Sequence, residues 1–379
     1  MGSVLYRRLK QLFLTAMALS LAVTVLVLFG PLPSAEGSDR IAKHYRGKRL
    51  TIIVNYSPGG STGTWLTMVA RHIGRHIPGN PRVLLKFHPG ATGKVGARYM
   101  VEVARPHGYT IGGLGGGVVR AQAIGNMPKA VDLRKLVIFG GVNEVSISFG
   151  RRKIFPDGIQ SLVERKPTKR PFFTATTAKD DSAVREYVWM KLLGYKPLKD
   201  FKHLSGFPGG AAERYLSVQR GEVDFTDTRI GGFKSSVMPL VKEGIVLPMF
   251  QSGMYNDQGK VVRHPAFPNY PTFTEVYEKH VGRITPSAEW EFLEWRRTTE
   301  SPLRPMVAPA GTPQYLIDAL IKALHDMHKD PAYQDDQEKL YGTRAPVHVL
   351  GDAARQAVIK TIEGSKSAQS FFEREIKNF

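Results

Sequence analysis

Apolar positions along this chain switch between two periods. Leu50-Thr-Ile-Ile-Val-Asn55 is a short β-branched run that predicts a strand, and Thr64 to Ile77 then carries Trp65, Met68, Val69 and Ile73 at helical spacing. The alternation repeats: a strand over Arg82 to Phe87, a turn Pro89-Gly-Ala-Thr-Gly-Lys94, and a helix from Val95 to Ala104. His107 to Ile111 begins a further strand that runs into the glycine-dense stretch Gly112 to Gly117. Downstream, Phe172 to Thr176 predicts a strand, Thr177 to Ser182 a polar turn, and Ala183 to Leu193 a helix stopped by Gly194. Lys202 to Ser205 is a short strand, a helix follows from Ala211 through Val218, and Glu222 to Phe225 reads as the next strand. Trp290 to Arg297 is helical. Met306 to Ala308 is a strand before Pro313, which suits the first turn of a helix from Gln314 to Lys329. Strands alternating with helices imply an α/β architecture with mainly parallel sheets.

The N-terminus breaks this pattern. Arg7, Arg8 and Lys10 precede an apolar run from Leu12 to Phe29, and Pro31 to Gly37 is rich in small residues, which together make an export signal over residues 1–37 with a cut after Gly37. The run is nearly long enough to span a bilayer, so an uncleaved anchor is the alternative. The residues around Arg7-Arg8 fit a twin-arginine signal poorly, which favours general export.

Among the 379 residues there are 53 Lys and Arg against 33 Asp and Glu, a formal charge of +20. Removing residues 1–37 takes away three positive charges and Glu36, leaving +18. Such an excess points to anionic partners, and export makes nucleic acid an unsuitable one. The absence of cysteine excludes a disulfide scaffold, a thiolate metal site and a cysteine nucleophile.

Chemistry is expected at the strand-to-helix turns, where glycine lets backbone amides approach a ligand and a helix N-terminus carries partial positive charge. Ser57-Pro-Gly-Gly-Ser-Thr62 and Pro89-Gly-Ala-Thr-Gly93 are two such turns, and both are candidate anion sites. Gly59 to Gly63 also matches G-x-S-x-G, which would make Ser61 the nucleophile of a secreted hydrolase. A nucleophile elbow needs earlier strands to build its sheet and oxyanion loop, whereas only residues 38–49 of the exported chain precede this first strand. Gly112 to Gly117 fails the dinucleotide motif at Val118, and Gly93-Lys94 fails the phosphate-loop motif at Val95. His72 and His76 lack the zinc-protease glutamate, since Ile73 takes its place, and they read as solvated helix histidines, as do His325 and His328. The basic stretches at Arg151 to Lys153 and Arg165 to Arg170 carry no stacking-aromatic pattern and read as solvated surface.

Several segments in order make the chain resemble the substrate-binding proteins of tripartite tricarboxylate transporters, the Bug family of extracytoplasmic solute receptors. They are Tyr45 to Val54, Pro58-Gly-Gly-Ser-Thr62, Pro89-Gly-Ala-Thr-Gly93, Gly108-Tyr-Thr110, Gly221-Glu-Val-Asp224, His264 to Glu275, and Arg304 to Pro313 with Lys329-Asp-Pro331. The resemblance covers essentially all of the exported chain. It implies a two-lobed periplasmic-binding-protein-like fold of type II, with lobe one formed by residues 38–141 and 253–379 and lobe two by 142–252. A small organic anion, a carboxylate, would lie in the cleft between the lobes. Lobe one would bind it with Ser57, Pro58, Gly59, Gly60, Ser61, Thr62, Pro89, Gly90, Ala91, Thr92 and Gly93. Lobe two would contribute Thr177, Ser182, Gly209, Gly210, Ala211, Thr228 and Arg229. It further implies a periplasmic monomer delivering its ligand to membrane transporter subunits, with no catalysis, cofactor, metal or nucleic acid. Gly63 stands where the family usually has an Asp, so no role for a carboxylate there is carried over.

Overall fold

The computed structural model describes residues 35–164, 170–207, 211–256, 258–300, 304–344, 348–364 and 366–378. Nearly all of the expected export signal lies outside them. The remaining chain folds around two sheets. The first joins β1 (Arg49–Val54), β2 (Arg82–Phe87), β3 (Thr110–Gly113), β4 (Val137–Val142), β12 (Arg304–Ala308) and β13 (His348–Leu350) in the order β13-β4-β12-β3-β1-β2. The second joins β5 (Ser146–Arg151), β6 (Phe172–Ala175), β7 (Phe201–Leu204), β8 (Phe225–Arg229) and β9 (Val246–Gln251) in the order β7-β6-β8-β5-β9. A separate small hairpin pairs β10 (Met254–Tyr255) with β11 (Val261–Val262).

The α/β class is as the periodicity implies, but the sheets are mixed and not mainly parallel. Helical crossovers make β1 parallel to β2 and β3, and β6 parallel to β7 and β8. The strands that carry the chain between sheets run the other way. Thus β12, arriving from the second sheet, inserts antiparallel between β3 and β4, and β5, arriving from the first, lies antiparallel to both β8 and β9. Such strands are not joined to their neighbours by a βαβ crossover, so nothing imposes parallel pairing on them.

The chain leaves the first sheet at Val142 and enters the second at Ser146, then returns after Gln251 to rejoin the first at Arg304. The returning segment does not pack only on the first sheet. Phe273, Trp290 and Phe292, together with Phe371 near the C-terminus, join Trp189, Phe225 and Phe250 in one buried aromatic cluster on the second sheet's side. Two glycines allow close layering on the first sheet: a Cβ at Gly113 would lie 2.4 Å from Leu66 and one at Gly96 would lie 2.6 Å from Asn55. The strand expected at Glu222 to Phe225 instead begins at Phe225, because Gly221 turns the chain at φ 85° and the buried Asp224 is held by Arg151 at 2.9 Å. His72 is likewise not solvated. It is buried against Asp336 at 2.9 Å, with His76 on Asp330 at 3.0 Å, so both histidines fasten the helix pair Ser61–Ile73 and Pro331–Tyr341. His328 is also withdrawn from solvent, stacked on His348.

Candidate functional site

Three loops leave the C-terminal ends of β1, β3 and β2 side by side. After β1 the chain runs through Asn55 to Gly60 into the helix Ser61–Ile73, whose N-cap is Gly60. No side chain caps this helix and its first turn holds no acid. Its opening amides therefore lack both an intrahelical acceptor and a side-chain one, which makes them donors for an outside anion. After β2 the residues Gly90, Ala91, Thr92 and Gly93 have φ of 127°, 46°, 54° and 91°. Consecutive residues of this hand curl the backbone so that neighbouring amides can share one concavity. For Ala91 and Thr92 that conformation is strained, at about 1 kcal/mol or more each.

The strain is held by two side chains from the first loop. Tyr56 donates its hydroxyl to the Thr92 carbonyl at 2.9 Å, and Asn55 donates Nδ2 to the Gly93 carbonyl at 3.2 Å. Asn55 Oδ1 in turn accepts the Gly115 amide at 2.8 Å, tying in the third loop. Here the glycine run acquires a reason, since a Cβ at Gly115 or Gly117 would strike the Tyr56 ring or hydroxyl at 2.4 and 2.6 Å.

The facing wall comes from the second sheet. After β6, Thr176 to Asp180 lead into the helix Asp181–Leu192, where Asp180 accepts the Ser182 amide at 2.8 Å. After β7 comes the helix Ala211–Arg220, and β8 ends in Thr228 and Arg229. Together these walls enclose a cleft of about 810 Å³. Ser57, Pro58, Gly60, Ser61, Thr62 and all of Pro89 to Gly93 line it on one side, and Thr177, Ser182, Ala211, Thr228 and Arg229 on the other. Gly59 is not among the lining residues, and Gly209 and Gly210 lie outside the described ones.

Sequence reasoning overlooked most of the charge in this cleft. Lys94, Arg120, Lys179, Arg185, Arg214 and Arg304 line it as well as Arg229, against the carboxylates of Asp180 and Asp227. Arg229 is bound to Glu300 at 2.8 Å, and Thr228 is hydrogen-bonded to Tyr215, so both expected residues are already engaged. Arg304 pairs with Glu144 and donates to Thr62 at 3.1 Å. Asp181 joins the two walls, taking Arg120 from the first at 2.7 Å and Arg296 at 2.6 Å. Burial opposes its ionisation, but these guanidiniums hold its carboxyl below the ordinary range. Its neighbour Asp180 is pushed up to about 6 by burial and by the Asp181 charge. Burial also raises the Tyr56 phenol to about 12, keeping it a donor at every physiological pH.

No protein-family model matches this chain, and neither does any curated protein. Solved structures do. The periplasmic binding protein BugD superposes with a TM-score of 0.63 at 18% identity, over 88% of this chain and 99% of that one. This is the fold of the periplasmic binding proteins. MatC from Rhodopseudomonas palustris, solved with bound malate, gives 0.60 at 18% identity over 85% and 99% of the two chains. A second R. palustris protein, solved with adipate, gives 0.62 at 16% identity over 87% and 97%. Within this periplasmic-binding-protein fold, Ser61 is placed where it meets the opposite wall: its Oγ accepts the Gly232 amide at 3.1 Å. Among the described residues lining the cleft there is no histidine to serve as its base.

Proposed function

We propose that this chain is an extracytoplasmic solute-binding receptor that captures a small organic anion, a carboxylate, for a tripartite tricarboxylate-type transporter, and that it does so without chemistry. The observation that carries this is the pairing of the uncapped helix Ser61–Ile73 with the strained Gly90 to Gly93 turn on one wall of the cleft. A carboxylate can accept several of those amides at once, and such donors favour it by both hydrogen bonding and partial charge. The malate- and adipate-bound relatives in fold support the ligand class, and the basic exported chain suits an anionic solute. Lobe one would hold the amide turns and lobe two the arginine-rich wall. Delivery to membrane transporter subunits, a monomeric receptor and a signal cleaved after Gly37 complete this reading. No helix among the described residues is long and apolar enough to cross a membrane.

The test is to express the full chain with its signal, purify it from the cell envelope, read its N-terminus by mass spectrometry, and titrate it with a carboxylate panel by thermal shift. A terminus near Ser38 and stabilisation by at least one acid are expected. Gly60→Glu should abolish the stabilisation while the fold persists. Gly60 has φ −79° and a Cβ there would meet nothing nearer than the Ser57 carbonyl at 3.8 Å, so the new carboxylate occupies the anion's place without strain. An intact cytoplasmic protein, or a variant that binds as the parent does, would refute the assignment.

A further inference from the structure

The cleft does not account for the chain's excess of positive charge. There Arg120, Arg185, Arg229 and Arg304 each face a carboxylate, on Asp181, Asp227, Glu300 and Glu144. Many surface arginines are paired as well: Arg71 with Asp336, Arg98 with Glu102, Arg263 with Glu275 and Arg344 with Glu338. One end of the first sheet is the exception. The helix Ala35–Tyr45 lies at the N-terminal ends of β1 and β3, where Tyr45 donates to the Gly108 carbonyl at 3.0 Å and Tyr109 to the His44 carbonyl at 3.1 Å. Arg40 and Lys43 sit three residues apart on it, and Arg46 follows at the next such step, its amide still bonded to the Ala42 carbonyl at 2.9 Å. The turn then adds Lys48 and Arg49. Arg82 opens β2 as the register partner of Arg49, and its amide donates to the Lys48 carbonyl at 3.2 Å. All six residues are exposed, and none has an ion-pair partner among the described residues. Arg40 is laid on the Tyr315 ring at 3.9 Å. The acids beside them are Asp39 on the same helix and Asp318, three residues past Tyr315, which leaves the patch strongly positive. Like charges gathered in this way repel one another unless an anionic surface meets them.

We propose that this end of the first sheet seats on an anionic lipid surface, its six cations meeting phosphate headgroups. Two features name lipid as the partner. The patch adjoins the place where the apolar run Leu12 to Phe29 gives way to the helix Ala35–Tyr45. A chain left uncut would hold this face at the bilayer, while a cut after Gly37 removes Glu36 and leaves the cationic amine of Ser38 two residues before Arg40. The second feature is the layout. The cations spread over a helix, a turn and two strand starts around the half-buried rings of Tyr109 and Tyr315, and such a mixture of charge and amphipathic ring suits a headgroup layer. The loops that build the cleft leave the opposite ends of the same strands, a strand's length or about 20 Å away. A seated protein therefore keeps its cleft open to solute, and the proposal is independent of what the cleft binds.

The probes are vesicles of phosphatidylcholine alone and of phosphatidylcholine with phosphatidylglycerol in equal parts, mixed with the full exported protein at low salt and sedimented. Binding to the anionic vesicles should exceed binding to the neutral ones by at least about tenfold, and should fall away at roughly 0.5 M salt. An Arg46→Glu, Arg49→Glu double variant should lose at least about tenfold of the anionic binding with its thermal unfolding unchanged, since neither side chain has a partner to lose. Acetylation by a water-soluble reagent, read by mass spectrometry, locates the contact. Anionic lipid should protect Lys43 and Lys48 and leave the exposed Lys202 and Lys242, on the second sheet's side, as reactive as before. A protein that keeps its apolar run is reconstituted into the same two bilayers and read by this protection, which also decides if the double variant melts early. Equal binding to both vesicles, a folded double variant that binds as the parent does, or protection that falls on Lys202 and Lys242 would overturn the proposal. A parent that ignores both vesicles overturns it too, and turns the search to an acidic protein surface.

Discussion

Ser61 shows how one residue can satisfy two motifs and serve only one. Its oxygen is occupied by the Gly232 amide from the opposite wall, which leaves its proton as the part available to the cleft. A nucleophile needs the reverse, with the proton given to a base and the oxygen free to attack. Ser61→Ala therefore removes a hydrogen bond across the cleft mouth and should weaken carboxylate affinity by about 1 kcal/mol, roughly fivefold. Titration calorimetry reads this directly. Labelling of Ser61 by a fluorophosphonate probe, with esterase turnover lost in the alanine variant, would instead restore the hydrolase. The arginines make the complementary point. Arg185 and Arg214 acquire meaning only when Asp227 is brought between them by β8, and no spacing along the chain announces that meeting.

At the scale of elements, what could be read from the chain was what is local. β1, β2 and the helices after them were legible because β-branched runs and helical spacing are set within a few residues. The glycine turns were legible as turns. β4, β5 and β9 were not: they carry glycine, proline or polar residues and are stabilised by partners far along the chain, such as β12 and β8. The Gly112 to Gly117 stretch was read only against a dinucleotide motif, whereas Gly115 and Gly117 make room for Tyr56 and Gly113 for Leu66. Asn55 is the joint of this assembly, bonding the second turn through one side-chain atom and the third through the other. Asn55→Ala leaves a buried carbonyl and a buried amide without partners, so it should cost about 1–3 kcal/mol of stability and loosen the strained turn at Ala91 and Thr92. Urea unfolding should show the loss, and carboxylate affinity should fall with it. Unchanged stability would mean that the three loops hold their shape without this side chain.

For the whole molecule, the cost of burying ionisable groups sets the pH range in which the fold is stable. His203, His264, His328 and His348 are all withdrawn from solvent, and burial lowers them from the ordinary 6.5 to about 3, 4, 2 and 3 respectively. For His328 the stacked His348 adds to the effect. In the unfolded chain each would take up a proton as the pH falls through 6.5, while the folded protein takes up none until far lower. The unfolded state therefore gains, and stability present above 6.5 is lost below it, at about 1.4 kcal/mol per pH unit for each histidine. Asp180 acts in the opposite sense. Its folded carboxyl, raised to about 6, takes up a proton before the unfolded one does, which returns part of the loss as the pH falls. The buried Glu186 carboxyl, raised well above its ordinary range by burial and by the Asp227 charge, acts in the same sense as Asp180, and four groups against these two leave a net loss on the order of 2 kcal/mol between pH 7.5 and 5.5. Urea midpoints should drop over that interval in the absence of ligand, and a His328→Gln, His348→Gln double variant should lose most of the net dependence. A midpoint that stays level or rises on acidification would show that the histidines take up protons in the folded state, and that the packing around them is looser than their burial implies.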